Sequence, residues 1–221
     1  MSQDAPKVDT SLSDGVYARV RDLLREGELV PGQRVSEADI CSRFNVSRTP
    51  AREAIHRLLN EGFLTAGSGG RPVVAEIDID RAEEIYDMRE AVECLAARLA
   101  AKRARTNDLL DLRRILDEQR DGCENEVDFL EINDRFHGCI YRISGNRYVQ
   151  RTASILLVSA GMIRGSTQGQ YNYDSWSLSE HEAIYRAIEN GDSAAAEEAM
   201  RRHTRNGRFQ RIALITNQKE R

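Results

Sequence analysis

Three histidines in the second half of the chain are placed where they could hold a metal ion together. His137, His181 and His203 each lie on the apolar face of a predicted helix, and the chain has only four histidines in all. Asn133 precedes His137 by four residues, so the two side chains share one helix face. Three imidazoles and one side-chain oxygen suit a divalent cation. We expect Zn²⁺, with Ni²⁺, Mn²⁺ or Fe²⁺ as alternatives.

A resident metal site has three alternatives at this point. Any one of these histidines is explained more simply as a buried core residue with an ordinary hydrogen-bond partner. A metal-dependent enzyme is a second alternative, because such a cluster can activate a bound water. A sensor for which the metal is itself the signal is a third. We expect no enzyme, because no general base is paired with the cluster and the first half of the chain would be left without a role.

A second group of residues suits the recognition of nucleic acid. Arg48, Thr49 and Arg52 share one face of a helix predicted to start near Ser47 and to end at Asn60. The arginine fork can bind guanine O6 and N7 together, worth ~1–3 kcal/mol of discrimination. Hydroxyls and free N–H groups at a helix start can donate to phosphate. The alternative is a solvated arginine-rich helix.

A short hairpin is predicted to follow this helix. The runs 63–66 and 72–74 are rich in β-forming residues, and glycines separate them. At the tip, Gly69 would let the backbone approach a groove, and Arg71 could enter the minor groove. The alternative for the tip is an ordinary loop. A helix, a tight turn, a basic helix and a glycine-rich wing in this order predict a winged helix-turn-helix.

The elements that must position these residues fall into two groups. Three of the four prolines lie between residues 15 and 72, and none lies between 79 and 213. We therefore predict a mainly α protein, with a winged helix-turn-helix domain over 9–76 and an antiparallel all-helical bundle over 79–214. Thr106, Ser179 and Asp192 are the predicted caps in the bundle. Its predicted helices are 80–103, 106–121, 125–143, 146–165, 178–190 and 193–214.

Overall charge and composition limit the function classes. The 221 residues carry 32 basic and 36 acidic side chains, a balance that by itself disfavours nucleic acid. Residues 41–59 nevertheless contain four arginines and one acid, so the positive charge is concentrated on the proposed reading helix. No stretch is apolar enough to span a membrane, and the polar N-terminal residues lead us to expect no secretion signal. Four cysteines without a CxxC pair are typical of buried, reduced thiols in the cytoplasm, where we expect the protein.

The first half of the chain resembles the GntR family of bacterial transcription regulators. The segment Val46-Ser47-Arg48-Thr49-Pro50-Ala51-Arg52-Glu53-Ala54-Ile55 and the following Glu61-Gly62 carry the resemblance. It implies that Arg48, Thr49 and Arg52 contact bases and phosphates and that Gly69 approaches the minor groove. Ala38 stands where some members have a DNA-contacting arginine, so the operator cannot be copied from them.

The second half resembles the all-helical effector domain (FCD) of the FadR-like branch of that family. The segment Asn133-Asp134-Arg135-Phe136-His137, His181 and His203 carry the resemblance, and Arg89 with Glu93 matches the first helix of the domain. It implies a pocket beside the metal for a small organic acid, for which Arg89 and Arg164 are the candidate binding residues. Metal-binding members have Asp or Asn at position 133. Asn is neutral and would hold an ion less tightly. We expect Asp134 to be a surface acid.

These expectations combine into one functional prediction. A single short reading helix makes too few contacts for specific affinity, so we expect a homodimer on a pseudo-palindromic double-stranded DNA operator. We expect a repressor whose DNA affinity changes when the small organic acid binds near the metal.

Overall fold

The computed structural model describes residues 10–122, 126–166 and 176–219. Within these ranges the chain forms nine α-helices and one two-stranded antiparallel sheet. The first half contains α1 (Thr10–Arg25), α2 (Glu37–Phe44), α3 (Arg48–Asn60), β1 (Leu64–Ala66) and β2 (Pro72–Val74). The second half contains α4 (Ile79–Arg103), α5 (Thr106–Asp121), α6 (Glu126–Ile143), α7 (Arg147–Ser166), α8 (Trp176–Glu189) and α9 (Ser193–Lys219). The predicted fold class is confirmed.

The turn between α2 and α3 is fixed by local interactions. The hydroxyl of Ser36 accepts a hydrogen bond from the Asp39 N–H at 3.2 Å and so caps α2. Asn45 ends α2 in the left-handed conformation, at φ 54°, which asparagine tolerates better than most residues. Pro50 lies in the first turn of α3, where its missing N–H leaves no bond unmade. This short connection sets α3 across α2, as a helix-turn-helix requires.

The hairpin that follows α3 forms the predicted wing. Its register pairs Leu64 with Val74 and Ala66 with Pro72. A short 3₁₀ turn closes the tip, where Gly69 and Gly70 have positive φ values of 71° and 73°. Side chains are disfavoured there, so glycine is what allows this tight tip.

The reading head (residues 10–75) packs directly on the helical domain (residues 79–219). Val158, Met162 and Ile163 of α7 belong to the same buried apolar core as Val20 and Leu24 of α1. The backbones also meet. A Cβ added to Gly161 of α7 would fall far inside van der Waals contact with the Arg25 backbone. One turn later, Gly165 faces the Cα of Gly27. Glycine on this face of α7 therefore lets the end of α1 sit against it.

A second apolar core holds the bundle itself together. It is built from α4, α5, α6, α7, α8 and α9, with Phe136, Ile140 and Ile184 among its fully buried side chains. These residues are neighbours of the predicted metal-binding histidines in sequence. The same packing that buries the apolar faces of α6 and α8 therefore also turns His137 and His181 inward.

Some local expectations were wrong. Ser179 does not cap α8, because that helix already begins at Trp176. Thr106 is the first residue of α5, and the Asp108 carboxylate instead accepts from the Arg105 N–H at 3.0 Å. Asp192 does cap α9, since its carboxylate accepts from the N–H groups of Ala194 and Ala195. That helix continues to Lys219, past the predicted end at 214.

The cysteines and the helix hydropathy agree with most of what the composition predicted. Cys94 and Cys139 are buried free thiols as expected, whereas Cys41 is only half-buried. Cys123 lies outside the described residues. Across the described ranges, no helix combines the length and the apolar character needed to cross a bilayer.

The close approach of α1 and α7 leads to a stability prediction. Gly161→Ala should lower the free energy of unfolding by about 1–3 kcal/mol, because the new methyl group must push the Arg25 backbone away. The measurement is urea denaturation followed by circular dichroism. Gly15→Ala is the matched control, since a Cβ at that exposed position in α1 meets nothing within 4 Å. It should be neutral or stabilise by up to ~1 kcal/mol. Equal effects of the two changes would contradict the close packing of α1 on α7.

Candidate metal centre and nucleic-acid interface

Three histidines from three helices meet in the interior of the helical domain. His137 of α6, His181 of α8 and His203 of α9 are 0%, 0% and 7% exposed. Each offers one ring nitrogen to a common point, and these atoms lie within 4.8 Å of one another. Nε2 of His137 is 3.1 Å from Nε2 of His203. The structure therefore brings together the three histidines that the sequence singled out.

Each imidazole faces an oxygen acceptor with its other nitrogen. Nδ1 of His181 donates to Oε1 of Gln119 at 2.8 Å, and Nδ1 of His203 donates to Oε2 of Glu180 at 2.9 Å. Nδ1 of His137 lies 3.3 Å from a carboxylate oxygen of Glu93, at ion-pair distance but without good hydrogen-bond alignment. Oxygens in these positions hold the proton on Nδ1 and leave the Nε2 electron pairs facing inward.

This arrangement fits a bound cation. Two Nε2 atoms 3.1 Å apart are held together either by a proton on one of them or, with both protons on Nδ1, by a cation between them. Metal–nitrogen bonds of ~2.0–2.1 Å place two ligands of one ion about 3.0 Å apart in octahedral and about 3.4 Å apart in tetrahedral geometry. The observed separation lies between these values. Nε2 of His181 is also buried without a hydrogen-bond partner, which a metal bond would satisfy.

The electrostatics favour neutral imidazoles. Burial lowers the pKa of His181 well below its usual value, and the neighbouring imidazoles lower it further. Burial also lowers the pKa of His203 and outweighs the hydrogen bond to Glu180, which acts in the opposite direction. Since a metal binds the neutral ring, these side chains are ready to coordinate at neutral pH without first losing a proton.

Glu93 remains ionised although it is buried. Burial opposes its charge, but the Arg89 guanidinium, 2.8 Å away, and His137 hold the pKa of this carboxyl well below its usual range. A fixed negative charge therefore lies behind His137, where it strengthens that ring as a ligand.

A small cavity of about 60 Å³ is lined by His203 of this cluster. Both candidate effector-binding residues, Arg89 and Arg164, line it, and so does Asn133. Asn133 is half-buried on the cavity wall, and its role as a fourth ligand stays a prediction. We call this space the metal cavity; its polar lining residues are Tyr86, Arg89, Asn133, Arg164, Ser177, His203 and Arg211.

Asp134 is not the surface acid that the sequence suggested. Its side chain is 13% exposed, and its carboxylate lies 3.6 Å from both Arg25 and Arg164. The periodicity of α6 alone placed it on an outer face. It is covered because α1 of the reading head packs on that side of the bundle.

Sequence reasoning missed the residues that surround the histidines. Gln119 and Glu180 carry no motif, and polar residues on a helix are ordinarily assumed to face solvent. The available signal was that Glu180 directly precedes His181 and that Glu93 sits among alanines and a cysteine in α4. Ser177 was also missed. Its hydroxyl is buried in the wall of the metal cavity without a hydrogen-bond partner.

The reading head presents the predicted DNA-contacting residues on its surface. Ser47, Arg48, Thr49 and Arg52 are all exposed at the start of α3, while the opposite face of that helix enters the core. Ser47 precedes the first turn and makes no side-chain capping bond, so its hydroxyl is left to donate elsewhere. Gly69 and Arg71 are exposed at the wing tip.

Acidic neighbours reduce the positive charge of the helix-turn-helix. Arg52 forms an ion pair with Glu37 at 2.9 Å, and this bond, together with the charge of nearby Arg48, lowers the pKa of Glu37. Arg57 is exposed, but it pairs with Asp14 and stacks on the ring of Tyr17, so its charge is already engaged within the head. The cationic surface is therefore concentrated at the first two turns of α3.

Known proteins resemble both halves of the chain. Residues 12–74 match the bacterial regulatory proteins of the gntR family, and residues 84–206 match the FCD domain. The HTH-type transcriptional repressor RspR of Escherichia coli is 29% identical over 177 residues, which cover 79% of this chain and 78% of the relative. The repressor NanR of Klebsiella aerogenes is 25% identical over 219 residues, covering 90% and 84%.

A solved structure shows the same fold. The E. coli protein McbR/YncC superposes with a TM-score of 0.83 at 22% identity, covering 95% of this chain and 99% of that one. The matching families and the named relatives are transcription regulators rather than enzymes, as we expected.

Burial of neutral imidazoles leads to a prediction for the metal-free protein. The folded-state pKa of His181 lies below that of the unfolded chain, ~6.5, so the unfolded state binds more protons in acid. In chelator, the free energy of unfolding should therefore fall as the pH drops from about 7 to about 5. Urea denaturation across that pH range should show a smaller fall in the free energy of unfolding for His181→Gln than for wild type. His56→Gln, at an exposed position of α3, is the control and should keep the wild-type slope. If the pH dependence of the free energy of unfolding were the same in His181→Gln as in wild type, the lowered pKa assigned to His181 would be refuted.

Proposed function

The chain belongs to the GntR family of bacterial regulatory proteins and carries an FCD domain, and from this premise we propose that it is a ligand-responsive repressor in the cytoplasm. Its DNA affinity is set by a small organic acid that binds beside a divalent metal. The observation that carries the proposal is the convergence of three buried imidazoles, one of which, His203, lines a cavity together with Arg89 and Arg164, in a domain that packs directly on the reading head.

The start of α3 is the DNA-reading surface in this proposal. Arg48 and Arg52 are exposed there and can reach base edges in the major groove. Ser47, Thr49 and the free N–H groups of the helix start suit phosphate. Gly69 and Arg71 of the wing suit the adjacent minor groove. Arg52 can exchange its ion pair with Glu37 for a base, or keep that pair and use its remaining N–H donors.

The active form is a homodimer in this proposal. Each reading helix has only its first two turns free to enter a groove, which is too small a surface for specific affinity. Two copies related by a twofold axis would place their helices on half-sites about one helical turn of DNA apart. The operator is then pseudo-palindromic.

The metal would be held by His137, His181 and His203, with Asn133 as the proposed fourth ligand. We propose Zn²⁺ on the basis of the imidazole ligands, with Ni²⁺, Mn²⁺ or Fe²⁺ as the alternatives. When bound, the ion supplies a Lewis-acidic position that can accept a carboxylate oxygen. The chain's own contribution is orientation, since Glu93, Gln119 and Glu180 hold each ring with Nε2 inward.

The effector in this proposal is a small organic acid. Arg89 and Arg164 supply positive charge on the wall of the metal cavity, and the unpaired hydroxyl of Ser177 offers a hydrogen bond. The cavity of about 60 Å³ restricts the ligand to a few heavy atoms. The effector must bind one arrangement of the two domains better than the other in order to change DNA affinity.

Arg52 is the sharpest test of the reading surface. Once wild-type protein has selected its operator from a random DNA pool, Arg52→Ala should bind that operator more weakly by about 1–3 kcal/mol per half-site. Fluorescence anisotropy gives the affinities, and metal content should not change. Glu37→Gln removes the same ion pair but keeps the arginine, so it should bind as well as wild type or better. Undiminished specific binding by Arg52→Ala would refute the assignment of the start of α3 as the DNA-reading surface.

The metal site is tested with one histidine of the cluster and with the one histidine outside it. Wild type should bind one Zn²⁺ per chain, and His203→Ala should lose it because one of three ligands is missing. His56→Ala is the control, since that histidine lies exposed on α3. Glu180→Gln should lower the metal affinity by about 10–100-fold through the ring that it orients. Elemental analysis and competition with a chromophoric chelator measure both effects.

Measuring operator affinity in the presence of a carboxylate and in the presence of a chelator separates two modes of regulation. If operator affinity responds to a carboxylate only in the metal-loaded protein, the organic acid is the effector. If it responds to a chelator but to no carboxylate, the metal is the signal. Equal Zn²⁺ binding by wild type and His203→Ala would contradict the site itself.

A further inference from the structure

We propose that Asp134 is a positioning residue that couples the metal cavity to the reading head. Its carboxylate holds Arg164 of the metal cavity and Arg25 at the end of α1 together, so that occupancy of the cavity is communicated to the head. This inference rests on the proposed function only in taking the metal cavity as a binding site.

The contacts of Asp134 join three helices. Its Oδ2 atom lies 3.6 Å from Nε of Arg25 in α1 and 3.6 Å from Nη2 of Arg164 in α7. Arg164 also donates from Nη2 to the carbonyl oxygen of Arg25 at 3.3 Å. One carboxylate of α6 is thus shared by a cation from the reading head and a cation from the helical domain.

Both sides of this bridge reach the metal cavity. On α6, Asp134 follows Asn133 and precedes His137 by three residues, so it lies on the helical turn that carries these two side chains. On α7, the Arg164 side chain lines the cavity together with His203. Coordination by His137 acts on the helix that carries Asp134, and a carboxylate in the cavity competes with Asp134 for Arg164.

The ion pairs that Asp134 forms with Arg25 and Arg164 are loose enough for either arginine to change its partner. Separations of 3.6 Å exceed the ~2.7–2.9 Å of a tight charge-assisted hydrogen bond. A cleft of about 460 Å³ opens beside it, lined by Arg25 of α1, by Glu26 directly after it, and by Glu131, Asp134 and Arg164. The guanidinium of Arg25 therefore has room to move without any loss of core packing.

A shift of Arg25 is transmitted to the reading head because α1 is packed tightly on α7. The end of α1 rests directly on Gly161 and Gly165 of α7, and the two helices share an apolar core. The final turn of α1 is held by N–H groups of Glu26, Glu28 and Leu29, which donate to Asp22 and Leu23. A shift of the Arg25 backbone relative to α7 must alter these hydrogen bonds, which lead into the turn before α2.

Hydrogen exchange of the full chain measures this coupling without DNA. The amides of residues 26–29 are compared in metal-free protein and in protein with Zn²⁺ and saturating acetate. In wild type their exchange rates should change by about fivefold or more, at the lower end of typical couplings. Asp134→Asn should abolish the change while Zn²⁺ still binds. Asp134→Glu, which keeps the charge, should restore it.

Glu131→Gln is the matched control, because it removes an exposed acid of the same helix that lines the same cleft. It should behave like wild type. The proposal is overturned if wild type shows no change at 26–29, if Asp134→Asn keeps the full change, or if Asp134→Glu loses it as Asp134→Asn does. The last result would assign the effect to shape rather than charge.

Failure of the coupling and failure of the proposed function give different results. If the protein selected no DNA sequence, the regulatory function would fail, yet the exchange data would still report the coupling. If it binds an operator and Asp134→Asn responds to Zn²⁺ and acetate as wild type does, the coupling fails alone. Circular dichroism and urea denaturation establish that each variant is folded.

Discussion

The organisation of the helical domain depends on burying three imidazole rings with their Nε2 electron pairs facing one another. Such an arrangement is costly unless each Nδ1 proton has an acceptor and the inner electron pairs have a positive partner. The acceptors come from α4, α5 and α8, and the rings come from α6, α8 and α9. Five helices must therefore meet at one point. The need of a few buried ring nitrogens for polar partners therefore constrains how these five helices are placed relative to one another.

The connection between the two halves of the protein follows from a second constraint. The reading head buries its apolar residues partly against α7, so its core is incomplete without the helical domain. Glycines at 161 and 165 permit this by allowing backbone contact. Near this contact, the carboxylate of Asp134 lies between Arg25 and Arg164, and Arg164 also lines the metal cavity. The metal cavity and the end of α1 are thus separated by a few side chains rather than by a flexible linker.

Many of the helix boundaries were predictable because particular residues specify local backbone structure. Ser36 and Asp39 specify the start of α2, Pro50 marks the first turn of α3, and the periodicity of the second half defines its helices within a few residues at most ends. The predicted cap at Ser179 was wrong because Ser179 lies inside α8, which already includes Trp176. The three histidines were predictable because an uncommon residue fell repeatedly on apolar helix faces. The roles of Asn133, Arg89 and Arg164 remain predictions.

The sequence by itself determined the class of protein, the identity of the elements and the residue types available for DNA and metal. These properties depend on neighbours three or four residues apart, which helix geometry relates directly. Only the tertiary structure decided what surrounds those residues. Gln119 and Glu180 became partners of the imidazoles, and Asp134 became a half-buried link between domains, through contacts made by helices distant in the chain. Periodicity tells which face of a helix is buried. It does not tell what that face meets.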